Sequence, residues 1–227
     1  MGNKSVHIEE LTQLLNNYEL NIARTRSIDV SVFNIYKPTT YIMNPVSSTA
    51  AVEKLYAVLK QDGVAVLPSD LGYGILGITL QGMLKLYELK NRPLEKPSGI
   101  IGTPEIFKHV SRSRFREDVH EFAHPVGLIT ELNTEAELIQ KLPDPITPEQ
   151  TIGVFMNLNP LMTKLADYAF QRGDLIIISS ANQAGSGNVF RLEDLPEQLR
   201  EGADYLQEGA FSRYHKERSH FETITTT

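Results

Sequence analysis

Short apolar runs alternate along this chain with segments whose apolar residues recur at helical spacing, and that alternation constrains the fold most. The runs are VAVL at 64–67, SGIIG at 98–102, PVGLIT at 125–130, IGVFM at 152–156 and LIII at 175–178. Runs of this length between turn residues read as strands, and segments with apolar residues at i, i+3 and i+4 read as helices. Strands separated by helices bury their faces against them, so the expected class is α/β or mixed α+β in one domain. A length of 227 residues suffices for a substantial core.

Local signals place the elements. Ser48 or Thr49 can cap a helix carrying Val52, Leu55, Tyr56 and Leu59, which Gly63 ends. Thr79 caps a second, whose stripe is Met83, Leu86, Tyr87 and Lys90. Thr103-Pro104 opens a third, a fourth lies around 134–141, and Asn159-Pro160 opens one that closes near Gly173. Upstream, 1–45 reads as an extension packed on the main domain, with helical spacing through Leu11, Leu14, Leu15 and Leu20 and a strand at VSVFNIY; the main domain is 46–227. A last edge strand is expected at FETITTT.

The chain has no cysteine, which excludes disulfides, thiolate metal sites and cysteine nucleophiles and fits a reducing compartment, with the cytoplasm as the expected location. No apolar run approaches membrane-spanning length, and MGNKSVHIEE is too polar for a secretory signal. A formal charge of −6 argues against a surface built mainly to coat nucleic acid, while allowing a local basic groove. Lys108, Arg112, Arg114 and Arg116 read as a solvated helix face.

The chemistry is expected between Val64 and Pro97. Lys90 sits on the apolar stripe of its helix, where a cation either snorkels or turns into a cleft. Arg92 and Lys96 follow directly, and Pro93 and Pro97 stop the helix, so three cations gather at one helix-to-loop junction. Ser69 and Asp70 end one strand, and Ser179, Ser180 and Asn182 follow another. Arginine and lysine neutralise phosphates or carboxylates, hydroxyls and amides fix their oxygens, and Asp70 is a candidate to help hold Mg²⁺ or orient a ligand amine. The combination predicts a nucleotide or another anion in a cleft at the strand ends.

Other motifs lack their context. Gly72-Tyr73-Gly74-Ile75-Leu76-Gly77 matches G-x-G-x-x-G, but Pro68-Ser69-Asp70-Leu71 separates it from the strand and no ribose-binding acid follows at the expected distance, which leaves a Rossmann oxidoreductase a distant third reading. Phosphate-loop, esterase and zinc-protease signatures are absent. His120 and His124 are four apart without an evident third ligand, so no metal site is expected.

Three ordered motifs resemble the YrdC-like domain of threonylcarbamoyl-AMP synthases and their YciO-type relatives. They are Pro68-Ser69-Asp70-Leu71-Gly72-Tyr73-Gly74-Ile75, then Leu86-Tyr87-Glu88-Leu89-Lys90-Asn91-Arg92-Pro93 with Lys96-Pro97, and Ser179-Ser180-Ala181-Asn182-Gln183-Ala184-Gly185. The resemblance implies a twisted, mostly parallel sheet curved around a large basic cavity. It also implies condensation of ATP, with Mg²⁺, bicarbonate and L-threonine or another amine into a carbamoyl adenylate, for transfer to adenosine 37 of tRNA by partner proteins. On that resemblance Lys90 and Arg92 carry catalysis by binding phosphates or carboxylates, Ser180 and Asn182 hold ATP, Ser69 replaces the threonine of the first motif and Tyr73 shapes the cleft. Leu71 and Ala184 replace hydroxyl residues of the pattern, and Phe155, Met156 and Asn157 stand where an arginine is usual. These departures motivate an alternative: a non-catalytic member of the fold that binds a nucleotide or RNA, tRNA or dsRNA included.

Overall fold

The computed structural model describes residues 28–33, 49–113, 125–142, 146, 150–183, 186–209 and 221–225. Strand β1 (Ile28–Phe33) is followed by helix α1 (Thr49–Lys60), the hairpin β2 (Ala65–Ser69) and β3 (Gly72–Gly77), and helix α2 (Leu80–Leu89). Next come β4 (Gly99–Ile101), α3 (Pro104–Val110), β5 (Val126–Glu131), the single turn α4 (Glu137–Gln140) and β6 (Thr151–Met156). Helix α5 (Pro160–Phe170), β7 (Ile176–Ser180), α6 (Glu197–Gly202), β8 (Tyr205–Leu206) and β9 (Phe221–Thr225) complete the order.

The nine described strands form one sheet in the order β8-β2-β3-β7-β4-β6-β5-β1-β9. The α/β class holds, but the sheet is mixed and mostly antiparallel, which corrects the expectation of a mostly parallel one. Six of its eight pairings are antiparallel, and only β2 with β8 and β4 with β6 run parallel. The physical reason is the two-residue link Asp70-Leu71: it is too short for a helical crossover, so β3 folds back on β2. β7 then inserts antiparallel between β3 and β4.

That hairpin also settles what the glycine-rich stretch is, in keeping with the missing dinucleotide context. Gly72 to Gly77 are a buried strand with ladder bonds on both sides, to β2 and to β7, and not a phosphate-binding turn. β1 lies between β5 and β9, so the strand expected upstream joins the same sheet, and β9 forms its far edge. The fourth expected helix shrinks to α4. Arg114, Arg116, His120 and His124 lie outside the described residues.

Burial follows the sequence pattern. Val64, Ala65, Val66 and Leu67 are fully buried, as expected of a continuous apolar strand covered on both faces. In β6 the period is two: Ile152, Val154 and Met156 are buried while Thr151, Gly153 and Phe155 point to the opposite face. α1 buries Val52, Leu55 and Leu59, and Tyr56 meets Tyr168 of α5 edge to face with centroids 5.2 Å apart. Thr79 caps α2 by accepting from the Gly82 amide at 3.0 Å while donating to Asp62 at 2.6 Å.

One junction places the site. Asn159 caps α5 by accepting from the Met162 amide at 2.7 Å, and its own amide donates to the Pro68 carbonyl at 2.6 Å. The Asp70 amide donates to the Leu158 carbonyl at 2.8 Å. The turn after β2 is thereby held on the start of α5, which closes a cleft over the sheet. Among the described residues no helix is long and apolar enough to cross a membrane.

Candidate functional site

The cleft has a volume of about 190 Å³, small beside the roughly 300–1,000 Å³ of sites that bury a whole drug-sized ligand. Its floor is almost bare backbone, because Gly72, Gly74 and Gly99 line it. A Cβ on Gly99 would lie 2.5 Å from the Phe155 ring and 2.6 Å from the Gly153 carbonyl. Gly72 has φ +110°, and a Cβ there would meet the Val189 carbonyl at 2.7 Å. Leu71, Phe155, Leu158 and Ile178 supply an apolar wall, and Ser69, Arg92, Ser98, Ser179 and Ser180 the polar one.

Lys90 is the C-cap of α2, where its place on the apolar stripe carries its side chain inward; it is 2 % exposed. Its Nζ donates to Ser179 Oγ at 2.7 Å and to the Ser180 carbonyl. Among the described residues no carboxylate pairs with it. Burial, with the Arg92 guanidinium adding repulsion, pulls its pKa from 10.5 down to about 7. An ammonium has three donors and two are engaged, so Lys90 secures the end of β7 from behind the cleft lining.

Arg92 stands in the cleft itself. Its Nη2 donates to the Pro97 carbonyl at 2.6 Å, its Nε to the Lys96 carbonyl at 3.4 Å, and the guanidinium lies 5.7 Å from the Tyr87 ring centroid. Tyr87 fixes the same loop by donating to the Lys96 carbonyl at 2.7 Å. Two of five guanidinium N–H groups are thus engaged, which leaves three for a ligand.

The other predicted residues divide. Ser69 lines the cleft but is used locally, donating to the Gly72 carbonyl at 2.6 Å and accepting from the Leu71 amide at 3.1 Å. Tyr73 lines it too; its hydroxyl accepts from the Gly209 amide at 3.2 Å, and burial raises its pKa. Ser180 donates to Asn182 Oδ1 at 2.5 Å, while the Asn182 amide holds the Ser186 and Gly187 carbonyls. Asn182 itself is not in the lining. Lys96 is exposed and contributes only its carbonyl, and Asp70 is buried and does not line the cleft. The structure therefore brings Ser69, Tyr73, Arg92, Ser179 and Ser180 together, with Lys90 and Asn182 behind them, and leaves Asp70 and Lys96 outside.

Ser98, Phe155, Leu158 and Asn188 join the lining without having been singled out as contributors to the site. Asn188 is recruited by donating to the Leu71 carbonyl at 2.9 Å. Among the described residues no group of three or more histidine or acidic side chains is placed to hold a metal.

The comparisons agree with this architecture. Residues 57–220 match the model of the Sua5/YciO/YrdC family, described as telomere recombination, and the chain belongs to that family. Sua5 from P. abyssi, solved with L-threonine, superposes with TM-score 0.59 at 16 % identity, over 73 % of this chain and 48 % of that one. YciO from E. coli gives 0.56 at 16 % identity over 77 % and 82 %. The hypothetical protein smu.1377c from Streptococcus mutans UA159 gives 0.59 at 19 % identity over 68 % and 64 %. The chain thus spans about half the length of the P. abyssi Sua5. No curated protein matches it in sequence.

Proposed function

We propose that this protein makes a carbamoyl adenylate from ATP, bicarbonate and an amine, in its most specific form L-threonylcarbamoyl-AMP for modification of tRNA adenosine 37. The observation that carries the reading is Arg92, a guanidinium in the cleft lining with three N–H groups uncommitted and no carboxylate partner among the described residues, with the buried Lys90 behind it. The similar Sua5 was solved with L-threonine and a similar HypF with phosphate and nucleotide bound, which are ligands with an anionic group.

In this reading bicarbonate takes up a proton and loses water to give carbon dioxide, which the neutral amine captures as a carbamate, releasing a proton. A carbamate oxygen attacks the α-phosphorus, the bond to the β-phosphate oxygen breaks, and pyrophosphate leaves. Such chemistry needs alignment and charge neutralisation more than a protein nucleophile. Arg92 pairs with phosphate or carboxylate through its free fork. Lys90 fixes Ser179 and the Ser180 carbonyl, and Asn182 fixes the Ser180 hydroxyl by accepting its hydrogen. Mg²⁺ enters as part of the substrate, held chiefly by the phosphates, as is usual for this ion; Asp70 is too deep to be its first contact.

Phe155 and Leu71 in the wall favour a second reading, a binding protein that holds a nucleotide or RNA without turnover. Pyrophosphate release with ATP, Mg²⁺, bicarbonate and threonine separates the two. The first reading predicts release that requires every component and is lost in Arg92→Ala; salt-sensitive RNA binding without release supports the second.

A further inference from the structure

We propose that Lys90 and Ser179 form a base–nucleophile pair that gives this cleft a second activity, hydrolysis of small acyl phosphates through an acyl group carried on Ser179. The activity is separate from adenylate formation and does not require it. Lys90 Nζ and Ser179 Oγ are 2.7 Å apart, the reach a base needs to take a hydroxyl proton. Ser179 is half-buried and lines the cleft, while the amine is shut in behind it, 2 % exposed.

The amine is arranged as a base. Among the described residues no carboxylate pairs with Lys90 to hold it as an ammonium. Burial, and then the Arg92 guanidinium, favour the neutral form and bring its pKa to about 7, suited to accepting a proton near neutral pH. Its second hydrogen bond, to the Ser180 carbonyl, fixes the nitrogen against Ser179, the part a third group plays in nucleophile–base sets. Serine–lysine pairs are one variant on which such catalysis runs. The neighbouring hydroxyls are committed elsewhere, Ser180 to Asn182 and Ser69 to the Gly72 carbonyl.

The lining selects the leaving group. Among the described residues around the cleft none carries a carboxyl or an imidazole, and burial raises the pKa of the Tyr73 phenol, so a departing alkoxide or amine finds no good acid. A phosphate leaves as its own anion without a proton, and Arg92, in the same lining with three N–H groups free, pairs with it. A cleft of about 190 Å³ takes a small acyl group. In the first step the Nζ lone pair takes the Ser179 proton, Oγ bonds to the acyl carbon, and the bond from that carbon to the phosphate oxygen breaks, its electron pair leaving with phosphate. The ammonium then gives its proton to solvent. Water next bonds to the acyl carbon, and its proton passes through Lys90 to Ser179 Oγ as the ester bond breaks. Acyl phosphate and water thereby become carboxylic acid and phosphate.

The test is incubation of the full-length protein with acetyl phosphate at about pH 9, where the amine is free to act as a base. Phosphate release is followed, acetyl groups are located on peptides after acid quenching, and melting temperatures check the fold. Wild type should release phosphate catalytically, with any acetyl serine at Ser179 and none at the exposed Ser180, and in heavy-oxygen water the label should enter acetate and not phosphate. Release should disappear in Ser179→Ala and fall at least a hundredfold in Lys90→Gln, the scale of a lost general base; glutamine keeps a donor but no base, so a merely structural lysine would leave the rate within a fewfold. No release above the protein-free rate, release unchanged in Ser179→Ala, or label in phosphate each overturns the proposal, and none of these depends on the folding of Lys90→Gln. Release that needs Ser179 without adenylate synthesis would sustain it and overturn only the reading above; adenylate synthesis without acetyl phosphate turnover would do the reverse.

Discussion

Lys90 Nζ donates to Ser179 Oγ at 2.7 Å across 89 positions of sequence, joining the end of α2 to the end of β7. A buried cation here binds the two cleft-forming segments together. Lys90→Met removes a desolvated charge, which favours folding, but strips the donor from Ser179 Oγ and the Ser180 carbonyl, which costs about 1 kcal/mol each because Ser179 is half-buried and Ser180 exposed. The opposing terms predict urea-unfolding stability within about 2 kcal/mol of wild type. Pyrophosphate affinity should fall by about fivefold, the scale of one net hydrogen bond, because the Ser179–Ser180 lining loses its support. Unaltered affinity would remove Lys90 from the site.

The same residue sets a pH dependence with a definite sign. Its pKa is about 7 when folded and near 10.5 ordinarily, so between these values the unfolded chain binds more protons than the folded one. Stability contributed through Lys90 therefore rises with pH across that window, and the cost of burying the ammonium is full below about pH 7. The unfolding free energy of wild type minus that of Lys90→Met should grow between pH 7 and pH 9.5. An anion in the cleft acts oppositely, restoring the ammonium, so pyrophosphate should bind with proton uptake and more weakly at the higher pH. A flat difference would show that Lys90 keeps an ordinary pKa.

Gly72 opens β3 at φ +110° against the Val189 carbonyl. Gly72→Ala should cost about 1–3 kcal/mol through backbone strain, with more where the contact cannot relax. Because Gly72 lines the cleft, it should also weaken ATP binding. Thermal melting with and without ATP checks both, and a neutral substitution would mean that the turn is freer than its geometry implies.

Much of the fold was legible because buried strands here are short β-branched runs, LIII and VAVL above all, set off by capped helices. Strand direction was not legible. It depends on the two-residue link at Asp70-Leu71 and on β7 inserting beside β3, a contact between segments a hundred residues apart. Gly72 to Gly77 looked like a loop by composition, yet ladder bonds from both neighbours and the need for a bare cleft floor make it a strand.

Within the site, Lys90 was legible from its place on an apolar helix stripe, which forces burial. Lys96 and Asp70 lie outside the cleft lining, one exposed and the other buried, a difference that spacing in a turn does not encode. Ser98 was silent, since a serine beside a proline reads as an ordinary turn, and only the fold shows its hydroxyl buried without a partner among the described residues. The signal that could have found it is the polar residue opening an otherwise apolar GII strand.

The most direct measurement is incorporation of labelled bicarbonate into an adenylate by the purified protein supplied with ATP, Mg²⁺ and L-threonine. The account predicts one product carrying label, amino acid and AMP in equal amounts, with one pyrophosphate released for each, and none of it in Arg92→Ala. Saturable ATP binding by wild type with no labelled adenylate from threonine or any other amino acid would contradict it.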